Sequence, residues 1–124
     1  MRGGGRQARL TGQWGERMVG EDMVRKGWII LEVNFRCRLG EIDIIARRGG
    51  FLSFTEVKLR KSDRFAPARA FVTAEKQRKL RLAAEHYLMK HPTDLQPRFD
   101  VVEIYAPQGS DTRHPEIVYI ENAF

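Results

Sequence analysis

Two carboxylates and a lysine are the residues of this chain best suited to chemistry. Asp43 closes the run Gly40-Glu41-Ile42-Asp43, and Glu56-Val57-Lys58 follows on the far side of Gly49-Gly50. Alternate residues of a strand share a face, so Glu56 and Lys58 point one way, and Glu41 and Asp43 share a face of their own strand. Hairpin pairing can set Asp43 beside Glu56, although a slip of one residue would turn every side chain over. Two adjacent carboxylates repel, and a divalent cation removes that cost. An incomplete oxygen donor set, with the Val57 carbonyl as a further ligand, suits Mg²⁺ or Mn²⁺ better than zinc or calcium. Lys58 can then orient a water or balance charge developing on a phosphate. Acid, acid and lysine make a set for phosphodiester hydrolysis.

The competing reading is an ordinary ion pair on one strand face, worth little. The setting weighs against it. Leu52, Phe54, Val57 and Leu59 surround Glu56 and Lys58, and Ile42, Ile44 and Ile45 surround Asp43. Charges embedded in apolar strands are rare unless paired or bound to metal.

The elements that must position these residues follow from the pattern. Thr11 can cap a helix whose apolar stripe is Trp14, Met18, Val19, Met23 and Val24, stopped by Gly27. Trp28 to Val33 reads as a strand, Asn34 to Leu39 as a polar connection, Glu41 to Arg47 as a second strand and Phe51 to Arg60 as a third. Gly49-Gly50 between them is a hairpin turn. Lys61 to Ala66 is a polar loop, and helical sequence starts at Pro67. Ala74 to Lys90 is the clearest helix, striped by Leu80, Ala83, Ala84, Tyr87 and Leu88 and ended before Pro92. Phe99 to Tyr105 and Ile117 to Ile120 are further strands. The order α-β-β-β-α-β-β predicts an α/β fold with a mixed β-sheet flanked by helices.

Composition sets the bounds. A chain of 124 residues, 42% hydrophobic and 31% charged, suits one globular domain. Its 22 Lys plus Arg against 16 Asp plus Glu give a net charge of +6, which favours polyanionic partners. Residues 1–10, glycine-rich with Arg2, Arg6 and Arg9, read as a flexible basic arm, and residues 11–124 as the domain. The single cysteine, Cys37, excludes an intramolecular disulfide and four-cysteine zinc sites. No apolar run reaches the roughly 20 residues of a membrane helix, and the first residues lack a secretory apolar core. A cytoplasmic protein with no membrane partner is expected.

The ordered segments Gly15-Glu16, Asn34-Phe35-Arg36, Gly40 to Ala46, Phe54 to Lys58, Lys76 to Arg78 and Phe99 to Val102 carry a resemblance. Together they resemble the UPF0102 (YraN-like) family of the PD-(D/E)XK nuclease superfamily, which is similar to archaeal Holliday junction resolvases. The resemblance implies a restriction-endonuclease-like core and a metal-dependent endonuclease acting on DNA, branched DNA included. It implies Asp43 and Glu56 as metal ligands, Lys58 as the catalytic lysine, and Glu16 as a further acid near the metal. Ile42 stands where the superfamily's name has proline, a departure the family shares. A homodimer is expected from this resemblance alone, since a junction has two strands to cut.

Arg36, Arg38, Arg60, Lys61 and Arg64 form a basic rim suited to phosphates, as does Lys76 on the long helix. A solvated rim is the plain alternative. Glu41 either reaches the metal or pairs with Arg36 or Arg38, and pairing is the preferred reading. Asp100 and the aromatic residues read as structural, and the scattered His86, His91 and His114 have no ligand spacing. The alternative function is a non-catalytic nucleic-acid-binding module with a nuclease-derived fold, acting in repair or recombination. A protein-interaction domain without a nucleic-acid role is the third reading.

Overall fold

In the computed structural model of the chain, residues 3–61 and 72–124 are described, with side chains from residue 12 onward. The elements are α1 (Gly3–Arg25), β1 (Ile29–Cys37), β2 (Gly40–Arg48), β3 (Phe51–Arg60), α2 (Ala74–Lys90), β4 (Gln96–Tyr105), a 3-10 turn (Gly109–Asp111) and β5 (Glu116–Ile120). Arg64 and Pro67 lie outside the described residues, as do the side chains of the basic arm.

One five-stranded sheet runs β1-β2-β3-β4-β5. Only β3 and β4 are parallel, joined by the crossover that contains α2; the other neighbours are antiparallel. A parallel neighbour needs such a long connection. The predicted order and mixed α/β sheet are those observed.

Each helix buries its stripe on one apolar cluster. Leu80, Ala83, Ala84 and Tyr87 of α2 pack with Ile42, Ile45, Leu52, Phe54 and Val101. Val19 and Met23 of α1 pack with Trp28, Ile44, Ala46, Val102 and Ile104. Thr73 caps α2 by accepting the Lys76 N–H. Gly27, at φ 94°, ends α1: the Trp28 N–H reaches the Met23 carbonyl and the Gly27 N–H that of Val24.

Three expectations are corrected. α1 begins at Gly3, so Thr11 is an interior helical position rather than the cap. Val24 leaves the buried stripe and is 56% exposed, bordering an open groove of about 540 Å³ between α1 and β1. Residues 34–37 are not a connection but a continuation of β1. Pairing with β2 carries the strand on, Phe35↔Ile42 and Arg36↔Glu41, through an Asn34 held at φ 52°. Asparagine tolerates that conformation, so its polarity marks an irregular strand residue, not a strand end.

Candidate functional site

The β2–β3 ladder runs from Arg48↔Phe51 to Ile44↔Thr55. Beyond Ile44 a side chain takes over the bonding: the Val57 N–H donates to Asp43 Oδ2 at 2.8 Å. Along β2, Ile42 and Ile45 enter the cluster under α2, and Ile44 and Ala46 the one under α1. Strict alternation is therefore broken beside Asp43. Val57 and Leu59 pack against the α1 cluster, which leaves Glu56 and Lys58 to the opposite side.

Asp43 is 9% exposed. Burial first, then the charge of Glu56, pushes its carboxyl up to about 8, while the Val57 N–H works the other way. Burial also raises the carboxyl of Glu16, on α1, and the charge of Glu16 in turn acts on Asp43. The charges of Glu16 and Glu56, from α1 and β3, thus both act on Asp43 of β2. Glu16, which the family resemblance placed near the metal, stands within electrostatic reach of Asp43, and Asn34, which sequence reasoning missed, acts on Glu16. Its place in Asn34-Phe35-Arg36, a segment that carries the family resemblance, was the available signal.

Glu56 faces two cations. Lys76 Nζ lies 3.2 Å and Lys58 Nζ 3.6 Å from the same oxygen, Oε2. Burial, with Lys76 alongside, draws the Lys58 ammonium below the usual lysine range. Lys76 is held above it: burial works against this, but the Lys58 amine and the Glu56 charge prevail.

The donor chemistry fits a hard divalent cation. Crowded carboxylates, one of them forced toward its neutral form, are what such an ion relieves. Asp43, Glu56 and the Val57 carbonyl are the oxygens that could hold it, with Glu16 nearby. The carboxylates are not closed into a cage: among the described residues no three His, Cys, Asp or Glu side chains are arranged around an ion position.

The basic rim is only partly assembled. Arg36 is exposed and pairs with Glu41 at 3.2 Å, while the Glu41 charge also reaches Glu16. Arg38 and Lys61 are exposed. Arg60 does not belong to the rim. Its side chain is 9% exposed and ion-paired with Glu103, with the Tyr105 hydroxyl also in reach. A strand residue facing a buried acid turns inward, which composition cannot show. Asp100 is structural, accepting from the Ser53 hydroxyl, Arg98 and the Asn122 N–H.

The element order and the mixed sheet place the chain in the restriction-endonuclease-like α/β class. Within that class, the profile of the Uncharacterised protein family UPF0102 matches residues 15–104, and the chain belongs to this family. It is 50% identical over 95 residues to a UPF0102 protein of Nitrosomonas europaea, covering 77% of this chain and 76% of that one. It is 44% identical over 126 residues to one of Geotalea daltonii, covering 100% and 97%. A third, from Acetivibrio thermocellus, is 43% identical over 119 residues, covering 94% and 92%. Among the described residues no helix is long and apolar enough to cross a membrane.

Proposed function

We propose that this protein is a Mg²⁺- or Mn²⁺-dependent endonuclease that hydrolyses phosphodiester bonds of DNA, branched DNA in particular. The observation that carries the reading is the buried Asp43 carboxylate, bonded to the Val57 N–H where β2 and β3 part, with the charge of Glu56 acting on it and Lys58 3.6 Å from Glu56. Asp43, Glu56 and the Val57 carbonyl would hold the cation. When bound, the ion supplies Lewis acidity toward a phosphate oxygen. Lys58 Nζ, its proton made more labile by burial, orients the attacking water or meets charge developing on the phosphate. Glu16, whose charge acts on Asp43, would add negative charge for the cation. Arg36, Arg38 and Lys61 draw the DNA backbone in.

Cleavage of labelled DNA by wild type and by Asp43→Ala tests the proposal. Metal-dependent cutting lost in a folded Asp43→Ala supports it, and equal cutting by the two overturns it. DNA is preferred to RNA as substrate and a homodimer as the working state, both resting on the resemblance to junction resolvases. The second reading, a binding module without turnover, has one observation in its favour: Glu56 is occupied by two lysines. It predicts DNA binding that EDTA does not change and no cutting with any metal.

A further inference from the structure

Lys76 stands at an unusual place for a cation. It lies in the first turn of α2, two residues after Ala74, where the helix dipole favours negative charge. Its amine nevertheless reaches across to β3 and bonds Glu56 Oε2 at 3.2 Å. That oxygen is also the one Lys58 approaches. The two lysines differ in their freedom. The Lys58 side chain is 22% exposed and rises from the same strand as Glu56, whereas that of Lys76 is 45% exposed on a helix at the site's rim.

We propose that Lys76 is a resident counter-ion for Glu56 that a divalent cation displaces, and that the freed amine then binds a substrate phosphate. The inference rests on the reading of Asp43 and Glu56 as cation ligands. Glu56 cannot give the same oxygen fully to Lys76 and to a metal, and a doubly charged ion so near would repel both amines. Lys76 is the one able to leave, because its stem is long, its head is solvated and the α2 dipole disfavours its present position. Lys58 stays, fixed by its strand and by deeper burial. The exchange lets the site keep its carboxylates together without a metal. It also links two binding events: each ligand that takes Lys76 or Glu56 from the other promotes its partner's binding, reciprocally.

The test is Mn²⁺ titration, by calorimetry, of wild type, Lys76→Met and Asp43→Asn, followed by DNA affinity in EDTA and in Ca²⁺. Methionine keeps the stem and the helix while removing the charge, so the fold is not at risk. Lys76→Met is expected to bind Mn²⁺ about three- to fivefold more tightly, the scale of one partly exposed ion pair. The rise in DNA affinity that Ca²⁺ gives the wild type should shrink in Lys76→Met, and the salt slope should fall by about one. Unchanged or weaker Mn²⁺ binding by Lys76→Met, with wild-type binding that Asp43→Asn abolishes, overturns the exchange and leaves the metal reading standing. Absence of Mn²⁺ binding by the wild type overturns both.

Discussion

The carboxylate of Asp43 takes the place of a backbone carbonyl: its Oδ2 accepts the Val57 N–H at 2.8 Å just past the last paired residues of β2 and β3. One contact therefore ends a ladder and fixes the acid beside Glu56. Strands that stayed paired here would leave Asp43 with no reason to turn between them.

That position is electrostatically costly. The Asp43 carboxyl lies at about 8 when folded, well above the ordinary aspartate value of 3.8, so between the two the folded chain holds a proton that the unfolded chain has lost. Metal-free stability should consequently fall as pH rises from about 4 to about 8. Asp43→Asn, which keeps an acceptor for the Val57 N–H, is expected to raise the melting temperature in EDTA at pH 8 and to change it little at pH 4. Each tenfold displacement of the proton equilibrium is worth about 1.4 kcal/mol, so a gain of a few kcal/mol at the high-pH end is the upper scale. Thermal melts of both proteins across pH check it; a gain that does not grow with pH contradicts the assignment.

Arg60 and Lys61, adjacent in sequence, should behave as different kinds of residue. Removing Arg60 leaves Glu103 buried without its ion-pair partner, and loss of one member of a buried pair costs about 3–5 kcal/mol. Arg60→Ala is expected to melt much earlier. Lys61→Ala should keep its melting temperature and lose only salt-sensitive DNA affinity. Equal melting temperatures for the two variants would return Arg60 to the rim.

Gly40 makes room for α2. A Cβ at this position would stand 3.1 Å from the Lys79 carbonyl oxygen, so Gly40→Ala must push the helix outward. A small-to-large change in tight packing costs about 1–3 kcal/mol. Because Lys76 rides on the same helix, the variant should also loosen its bond to Glu56. Denaturant unfolding measures the first effect, and Mn²⁺ titration, expected to show tighter binding, measures the second.

What the sequence made legible divides by physical cause. Helix and strand periodicity placed α2 at Ala74–Lys90 and β3 at Phe51–Arg60 with the bounds now seen, because both bury a continuous apolar face. Asp43, Glu56 and Lys58 stood out as charges inside such faces. Other features depend on partners distant in the chain. Asn34 reads as a loop residue until its strand is seen paired to β2. Arg60 reads as surface until Glu103, two residues before its register partner Tyr105 on the parallel strand, is found paired with it. The link from Lys76 to Glu56 spans a helix and a strand, and no spacing rule reports it. The proximity of Glu16 to Asp43 was legible through family resemblance alone, since its helical period marks it as an ordinary surface acid.

The most direct test of the central claim is a cleavage assay on labelled four-way junction, flap, duplex and single-stranded DNA. Wild type and Glu56→Ala are compared with Mg²⁺, Mn²⁺ or EDTA. The wild type should cut with either metal, most strongly on branched DNA, and not in EDTA, and Glu56→Ala should not cut although its melting curve stays cooperative. Binding without cutting by both proteins under every metal condition would contradict the central claim and leave a nucleic-acid-binding module in its place.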